Sequence, residues 1–291
     1  MARTAVVVAN RPYAKHAAVT LRSVAANSAD RWTLLLLHPD NFSTSDIEAC
    51  KAICSPHELI LADGSEMLER SQLADLGMPS FHLLRLLGPA FLAEKGIEKA
   101  LFLEADMIAE CDLAELSSYP LGGHPVAATP SDDGQHCAIA VALTDCLASQ
   151  DLFSIERLRD EIVHYFENLQ DSPFWWLRGE GVMRAEVVFA NIIGSNFAAL
   201  PQRWNQSPPE VLTRNREPGI LHFTGFSRPW YAWSNHPLRD AWRRHAPDFP
   251  LHSPRNVIQR IYRFLPMRMT WWLSQLAAHT GTYFHAKRIG E

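Results

Sequence analysis

The stretch LFLEADMIAECDL, Leu101 to Leu113, decides the reading of the chain. Ala100 to Leu103 are all apolar, then Glu104-Ala105-Asp106 follow, then apolar residues resume. Four apolar residues in a row describe a strand buried on both faces. Residues i and i+2 of a strand point to the same side, so at a strand end both carboxylates can face one point. Two close carboxylates repel unless a proton or cation lies between them. Their hard oxygens suit magnesium or manganese. Taken alone, an acid-x-acid pair fits a solvated turn as well as a cation site.

The flanking sequence supplies the context. Thr4–Ala9, Trp32–Leu37, Glu58–Ala62, Lys99–Leu103 and Pro125–Thr129 read as strands. Ala14–Ala26, Phe81–Leu92 and Ile155–Leu169 read as helices, and Ser45 with Glu48 fits a capping box opening a helix through Ile53. Strands alternating with helices predict an α/β fold with a mainly parallel sheet. Ligands of such sheets gather at the carboxyl ends of strands, where Glu104 and Asp106 fall. The second half is less regular: Phe174-Trp175-Trp176 reads as a loop that packs, Ala185–Ile193 is apolar around Glu186, and Asn205 to Pro218 is loop-like.

The chain has 291 residues, is 47% hydrophobic and carries a net charge of -5. That is ample for a large core, and bulk charge gives a nucleic-acid partner no support. Five cysteines with no secretory signal read as free thiols in a reducing, cytoplasmic setting, and Cys50 and Cys54 read as one packed helix face. No apolar run approaches the roughly 18 residues of a membrane span. Residues 1-250 read as one domain and residues 251-291 as a helical appendage. That tail carries Arg255, Arg260, Arg263, Arg268, Lys287 and Arg288 against Glu291, with Trp271 and Trp272 among its aromatics. Basic and aromatic residues together suit an anionic membrane surface. A basic helix packed on the acidic body is the alternative.

A second motif lies late in the chain, LHFTGFSRPWYAW, Leu221 to Trp233. His222 offers an imidazole, Gly225 a close backbone approach, Arg228 a fixed cation and Trp230 an anchor. A buried histidine beside a proline turn fits the same residues.

Together these motifs resemble the family 8 glycosyltransferases, retaining sugar transferases of the GT-A fold that include bacterial lipopolysaccharide enzymes. His222-Phe-Thr-Gly225-Phe-Ser-Arg228-Pro229-Trp230 matches their late motif with Arg for Lys, and Leu103-Glu104-Ala105-Asp106 matches their Leu-Asp-Ala-Asp. Ala9-Asn10-Arg11-Pro12-Tyr13 and Thr20-Leu21-Arg22-Ser23-Val24 are similar to the segments that contact uracil and ribose. Phe81 to Leu86 is similar to a helix whose arginine, here Arg85, approaches the donor phosphates. Leu200-Pro201-Gln202-Arg203-Trp204-Asn205 is similar to Leu-Pro-x-x-Trp-Asn. The resemblance spans roughly Thr4 to Trp230.

It implies a single GT-A domain that moves a hexose from a nucleotide sugar, most often UDP-linked, to a glycan or lipid-linked acceptor. It implies Mn2+ or Mg2+ on Glu104, Asp106 and His222. Arg228 would add charge to the leaving diphosphate, and Asp133, with Asp132, would face the sugar or acceptor. Glu186 matches an Asp on a helix beneath the sugar and is the candidate nucleophile; a buried acid paired to Arg184 or Arg178 fits it equally. Front-face attack, with the leaving phosphate taking the acceptor proton, is the other route. The departures are Glu104 for Asp, Val187 for Gln, and Cys137-Ala138-Ile139 for a strand that usually carries Asn and Gly. They keep open a degenerate nucleotide-sugar binder or scaffold. A nucleotidyltransferase ranks last, because Asn10-Arg11-Pro12 is no glycine-rich loop. An acceptor at the inner leaflet implies a cytoplasmic protein peripheral on that membrane.

Overall fold

The computed structural model describes residues 3–39, 42–130, 137–170, 185–207, 216–223, 228–232, 234, 236–250 and 269. Expectations placed on Asp132, Asp133, Phe174-Trp175-Trp176, Arg178, Arg184, Gly225 and the tail from 251 lie outside them, Met269 apart.

A seven-stranded sheet forms the centre. Its strands are β1 (Arg3–Val8), β2 (Trp32–His38), β3 (Leu59–Asp63), β4 (Lys99–Leu103), β6 (Val126–Pro130), β7 (Cys137–Asp145) and β8 (Ala198–Ala199), in the order β3-β2-β1-β4-β7-β6-β8. Strands β3, β2, β1 and β4 run parallel, β7 is antiparallel to both β4 and β6, and β8 runs parallel to β6. A separate antiparallel pair joins β5 (Met107–Ala109) to β9 (Ile220–His222). The α/β, mainly parallel expectation stands.

The apolar runs are unbroken because each strand feeds two cores. Val6, Val8, Leu35, Leu37 and Phe102 face one side, with helices α4 (Ser80–Glu94), α6 (Ile155–Gln170) and α7 (Ala185–Ile193). Ala5, Val7, Leu34, Leu36, Leu101 and Leu103 face the other, with α1 (Ala14–Ala26) and α2 (Thr44–Cys54). The remaining helices are short: α3 (Ser65–Ser71), α5 (Ala114–Ser117) and α8 (Arg239–Arg243). A third cluster gathers Val19, Ile108, Leu221, Trp230 and Trp242 beneath the β5–β9 pair.

The capping box is corrected. Ser43, not Ser45, is the N-cap of α2, and Asp46 closes the box. Ser43 Oγ accepts from the Asp46 N–H at 3.2 Å, and Asp46 Oδ2 accepts from the Ser43 N–H at 3.1 Å. The shorter aspartate makes the reciprocal contact two residues ahead of the Ser45–Glu48 pairing. Cys50 and Cys54 are buried on α2 as expected, and all five thiols are free. In α4, a Cβ on Gly88 would lie 2.8 Å from Phe102, so the glycine lets the helix carrying Arg85 lie close on β4.

Candidate functional site

Strand β4 ends at Leu103, and its neighbour β1 ends at Val8, directly before Ala9 and Asn10, with Tyr13 closing the turn that follows. Val7 pairs with Leu103, so the two loops leave the sheet side by side at its carboxyl edge. The Ala9 N–H donates to the Leu37 carbonyl, and the Tyr13 N–H to that of Asn10, which starts a short 3-10 turn, Arg11–Tyr13, leading into α1.

Glu104-Ala105-Asp106 is bolted down from below by α1. Thr20 Oγ1 donates toward the Met107 carbonyl at 2.9 Å and the Ala105 carbonyl at 3.1 Å, and it accepts from the Met107 N–H at 3.4 Å. Ser23 Oγ accepts from the Ala109 N–H, and Asn27 Nδ2 donates to the Ala109 carbonyl. Side chains spaced one and two turns apart thus stand in for a strand along the free edge of β5. Both hydroxyls are buried and spent on the backbone, so Thr20 and Ser23 serve as supports for β5.

The other edge of β5 brings in His222. Met107 pairs with His222, and the Phe223 N–H donates to the Asp106 carbonyl at 2.9 Å. His222 Nε2 then lies 3.1 Å from Glu104 Oε2 and 3.4 Å from Asp106 Oδ1. One ligand atom from each of the three residues lies within 4.8 Å of the others. His222 Nδ1 is 2.9 Å from Asn205 Oδ1. Asp106 and His222 are buried, while Glu104 is partly open to solvent.

Two arginines flank the cluster. Arg228 Nη1 lies 3.2 Å from Asp106 Oδ2, with its guanidinium 5.4 Å from the Trp230 ring. Arg85 Nη2 donates to the Ile139 carbonyl at 2.6 Å and lies 3.9 Å from Glu104 Oε1. Its Nε is buried with no hydrogen-bond partner among the described residues. Glu186 sits in the first turn of α7, in the same layer as α4, and Val187 beside it is exposed.

Burial opposes charge on every member, yet the charges hold one another. Burial would raise the Asp106 pKa, but Arg228 and His222 outweigh it and hold the carboxyl well below its usual range. Burial would likewise raise Glu104, and its bond to His222 and the Arg85 charge bring it down. Burial would lower His222, but Asp106 and Glu104 raise it to about 10. Without a cation, a protonated His222 therefore bridges the two acids.

The donor set fits a divalent cation. Two carboxylates and one imidazole match the preferences of manganese and, less closely, magnesium. With Nδ1 facing an acceptor, a ring that gave up its Nε2 proton would direct that lone pair at a cation held by the carboxylates. Asn205 and Thr20 carry these supports, and the sequence reading assigned neither that role. Asn205 closes the Leu-Pro-x-x-Trp-Asn segment, which was the available signal.

No family model matches the chain. Glycosyltransferase GlyD of Streptococcus pneumoniae serotype 4 is 24% identical over 179 residues, 54% of this chain and 22% of GlyD. General stress protein A of Bacillus subtilis is 21% identical over 179 residues, 53% of this chain and 60% of that protein. The matches thus cover less than two thirds of either relative. Galactosyltransferase LgtC, solved with donor and acceptor sugar analogs, superposes with a TM-score of 0.65 at 15% identity, covering 87% of this chain and 98% of that one. The glycosyltransferase GlyE of Streptococcus pneumoniae gives 0.63 at 18% identity, covering 84% and 60%. At these identities the likeness establishes the fold: this chain has the GT-A glycosyltransferase fold, the one its motifs resemble in family 8.

Proposed function

We propose that the chain is a retaining glycosyltransferase that moves a hexose from a UDP-sugar to a glycan or lipid-linked acceptor. The observation carrying this reading is the convergence of Glu104, Asp106 and His222 at the carboxyl edge of the sheet. These three hold Mn2+ or Mg2+, which when bound neutralises charge on the diphosphate. Arg228, fixed beside Asp106, supplies a permanent cation for the departing diphosphate, and Arg85 does the same from the Glu104 side. Ala9, Asn10 and Tyr13 line the nucleoside, Gly225 gives the phosphates a close backbone approach, and Glu186 and Asp133 serve the sugar. Residues 1-250 form the transferase domain, and the tail from 251 rests on an anionic membrane surface.

The test is UDP and GDP release from a panel of nucleotide sugars with manganese, magnesium or EDTA. Release from one donor, abolished by EDTA, is the expected result and names the sugar. The second reading, a nucleotide-sugar binder without turnover, draws on Val187 and Cys137 standing where the family has polar residues. Nucleotide binding without release, with every acceptor tried, would favour it. Loss of both binding and release would end the transferase reading. Membrane association is checked separately, by sedimentation with anionic and neutral vesicles before and after removal of residues 251-291.

A further inference from the structure

We propose that Asn205 is a positioning residue that fixes which nitrogen of His222 faces the cation; this rests on the metal reading above. A neutral imidazole has one N–H and one lone pair, and only the lone pair binds a metal. Asn205 and Thr129 are both buried. Asn205 Nδ2 donates to Thr129 Oγ1 at 3.2 Å, which turns the carboxamide oxygen toward the ring. That oxygen lies 2.9 Å from His222 Nδ1. When a cation displaces a proton from the ring, Nδ1 therefore keeps its own, and Nε2, which faces Glu104 and Asp106, presents the lone pair.

The surrounding backbone is built to hold this contact. The register of β6 against β7 shifts between Ala128 and Thr129, so the regular ladder is interrupted at the threonine. The 3-10 turn Gln202–Asn205 is stitched to β9: the Gln206 N–H donates to the Ile220 carbonyl, and the His222 N–H to that of Gln206, at 2.9 and 2.8 Å. Gln206 Nε2 donates to the Arg203 and Glu217 carbonyls. Gly219 completes the seat, because a Cβ there would lie 1.9 Å from the Arg203 carbonyl oxygen. Four separate contacts thus set the separation of one amide and one imidazole.

The experiment compares Mn2+ affinity, read from the free-ion electron paramagnetic resonance signal, in the unsubstituted chain, Asn205→Ala, Asn205→Asp and Thr129→Val, each with a thermal melt. Asn205→Ala is expected to bind Mn2+ about 10- to 100-fold more weakly, the usual cost of removing a partner of a metal-bound histidine. Asn205→Asp keeps an acceptor at the ring and recovers the affinity, whereas a residue that merely fills space would not be rescued in this way. Thr129→Val weakens binding in the same direction as Asn205→Ala. A folded Asn205→Ala that binds as tightly as the unsubstituted chain overturns the proposal, as does equal loss in Asn205→Asp. Should Asn205→Ala not fold, nitrogen-15 resonances of His222 in the Mg2+-loaded unsubstituted chain decide: a proton on Nδ1 supports the assignment, and one on Nε2 overturns it. An unsubstituted chain that takes up neither Mn2+ nor Mg2+ overturns the metal reading itself, and this inference with it.

Discussion

Met107 pairs with His222, and that register sets the imidazole beside the acid pair that immediately precedes β5. A slip of one residue along β9 would turn His222 to the opposite face of the pair. The ligand set thus depends on three-residue strands held at their edges by Thr20, Ser23 and Gln206.

Cation binding should be pH-dependent with one sign. The raised pKa of His222, about 10, means the ring is protonated at neutral pH and must lose that proton to bind a metal. Mn2+ affinity should therefore rise about tenfold per pH unit between about pH 6 and pH 8. Titrations in matched buffers check this, and a flat profile would contradict a protonated His222 in the metal-free site.

Stability of the metal-free chain should fall on both sides. Asp106 and Glu104 have depressed pKa values, so their contribution is present above their ordinary range near 4 and is lost in acid. His222 is raised, so its contribution is full below its ordinary value of 6.5 and is lost as pH climbs toward 10. Denaturant midpoints should be highest between these limits. Asp106→Asn should remove the acid shoulder that belongs to Asp106, cost about 3–5 kcal/mol by leaving Arg228 and His222 short of a countercharge, and abolish tight Mn2+ binding.

Thr20→Val keeps the shape of the side chain and removes its hydroxyl. The carbonyls of Ala105 and Met107 lose their donor, at a cost of about 1–3 kcal/mol. Mn2+ affinity should drop as well, because the turn bearing both acids loses its bolt. Chemical denaturation and a metal titration on the same sample check both halves. Unchanged stability would mean the buried carbonyls find other partners.

Gly219→Ala should destabilise by about 1–3 kcal/mol, since the added methyl would lie 1.9 Å from the Arg203 carbonyl oxygen, backbone that cannot swing aside, and 2.9 Å from Gln206 Nε2. It should also weaken metal binding by moving Asn205 off His222. Glycine-to-alanine at Gly96, where the added carbon meets nothing within 4 Å but φ is +76°, costs backbone strain of its own and leaves metal binding alone, so it is the comparison for the metal titration.

Much of this was legible because some signals are local. The helix Ala14–Ala26 and the strand Lys99–Leu103 have the bounds their apolar spacing predicts. The acid pair was legible because a fully apolar strand stops at Glu104. Other parts depend on register. Strands β5 and β9 are too short for periodicity to mark them. Thr20 lay within a segment resembling a nucleoside contact, and only packing of α1 against β5 turns its hydroxyl to the Ala105 and Met107 carbonyls. Asn205 meets His222 only through the turn at Gln202–Asn205 and the missing side chain of Gly219. The box at Ser43 was misread because Ser43–Asp46 and Ser45–Glu48 satisfy similar spacing, and geometry alone separates them.

The β5–β9 pair also sets an order of events during synthesis. Glu104 and Asp106 leave the ribosome with the parallel half of the sheet, whereas His222 lies on the last strand of the described fold. A nascent chain halted before Ile220 carries both acids without the imidazole that neutralises them. Carboxylate repulsion then works against the Glu104–Asp106 turn until β9 docks. Docking of β9 is the step that brings the imidazole to the acidic pair.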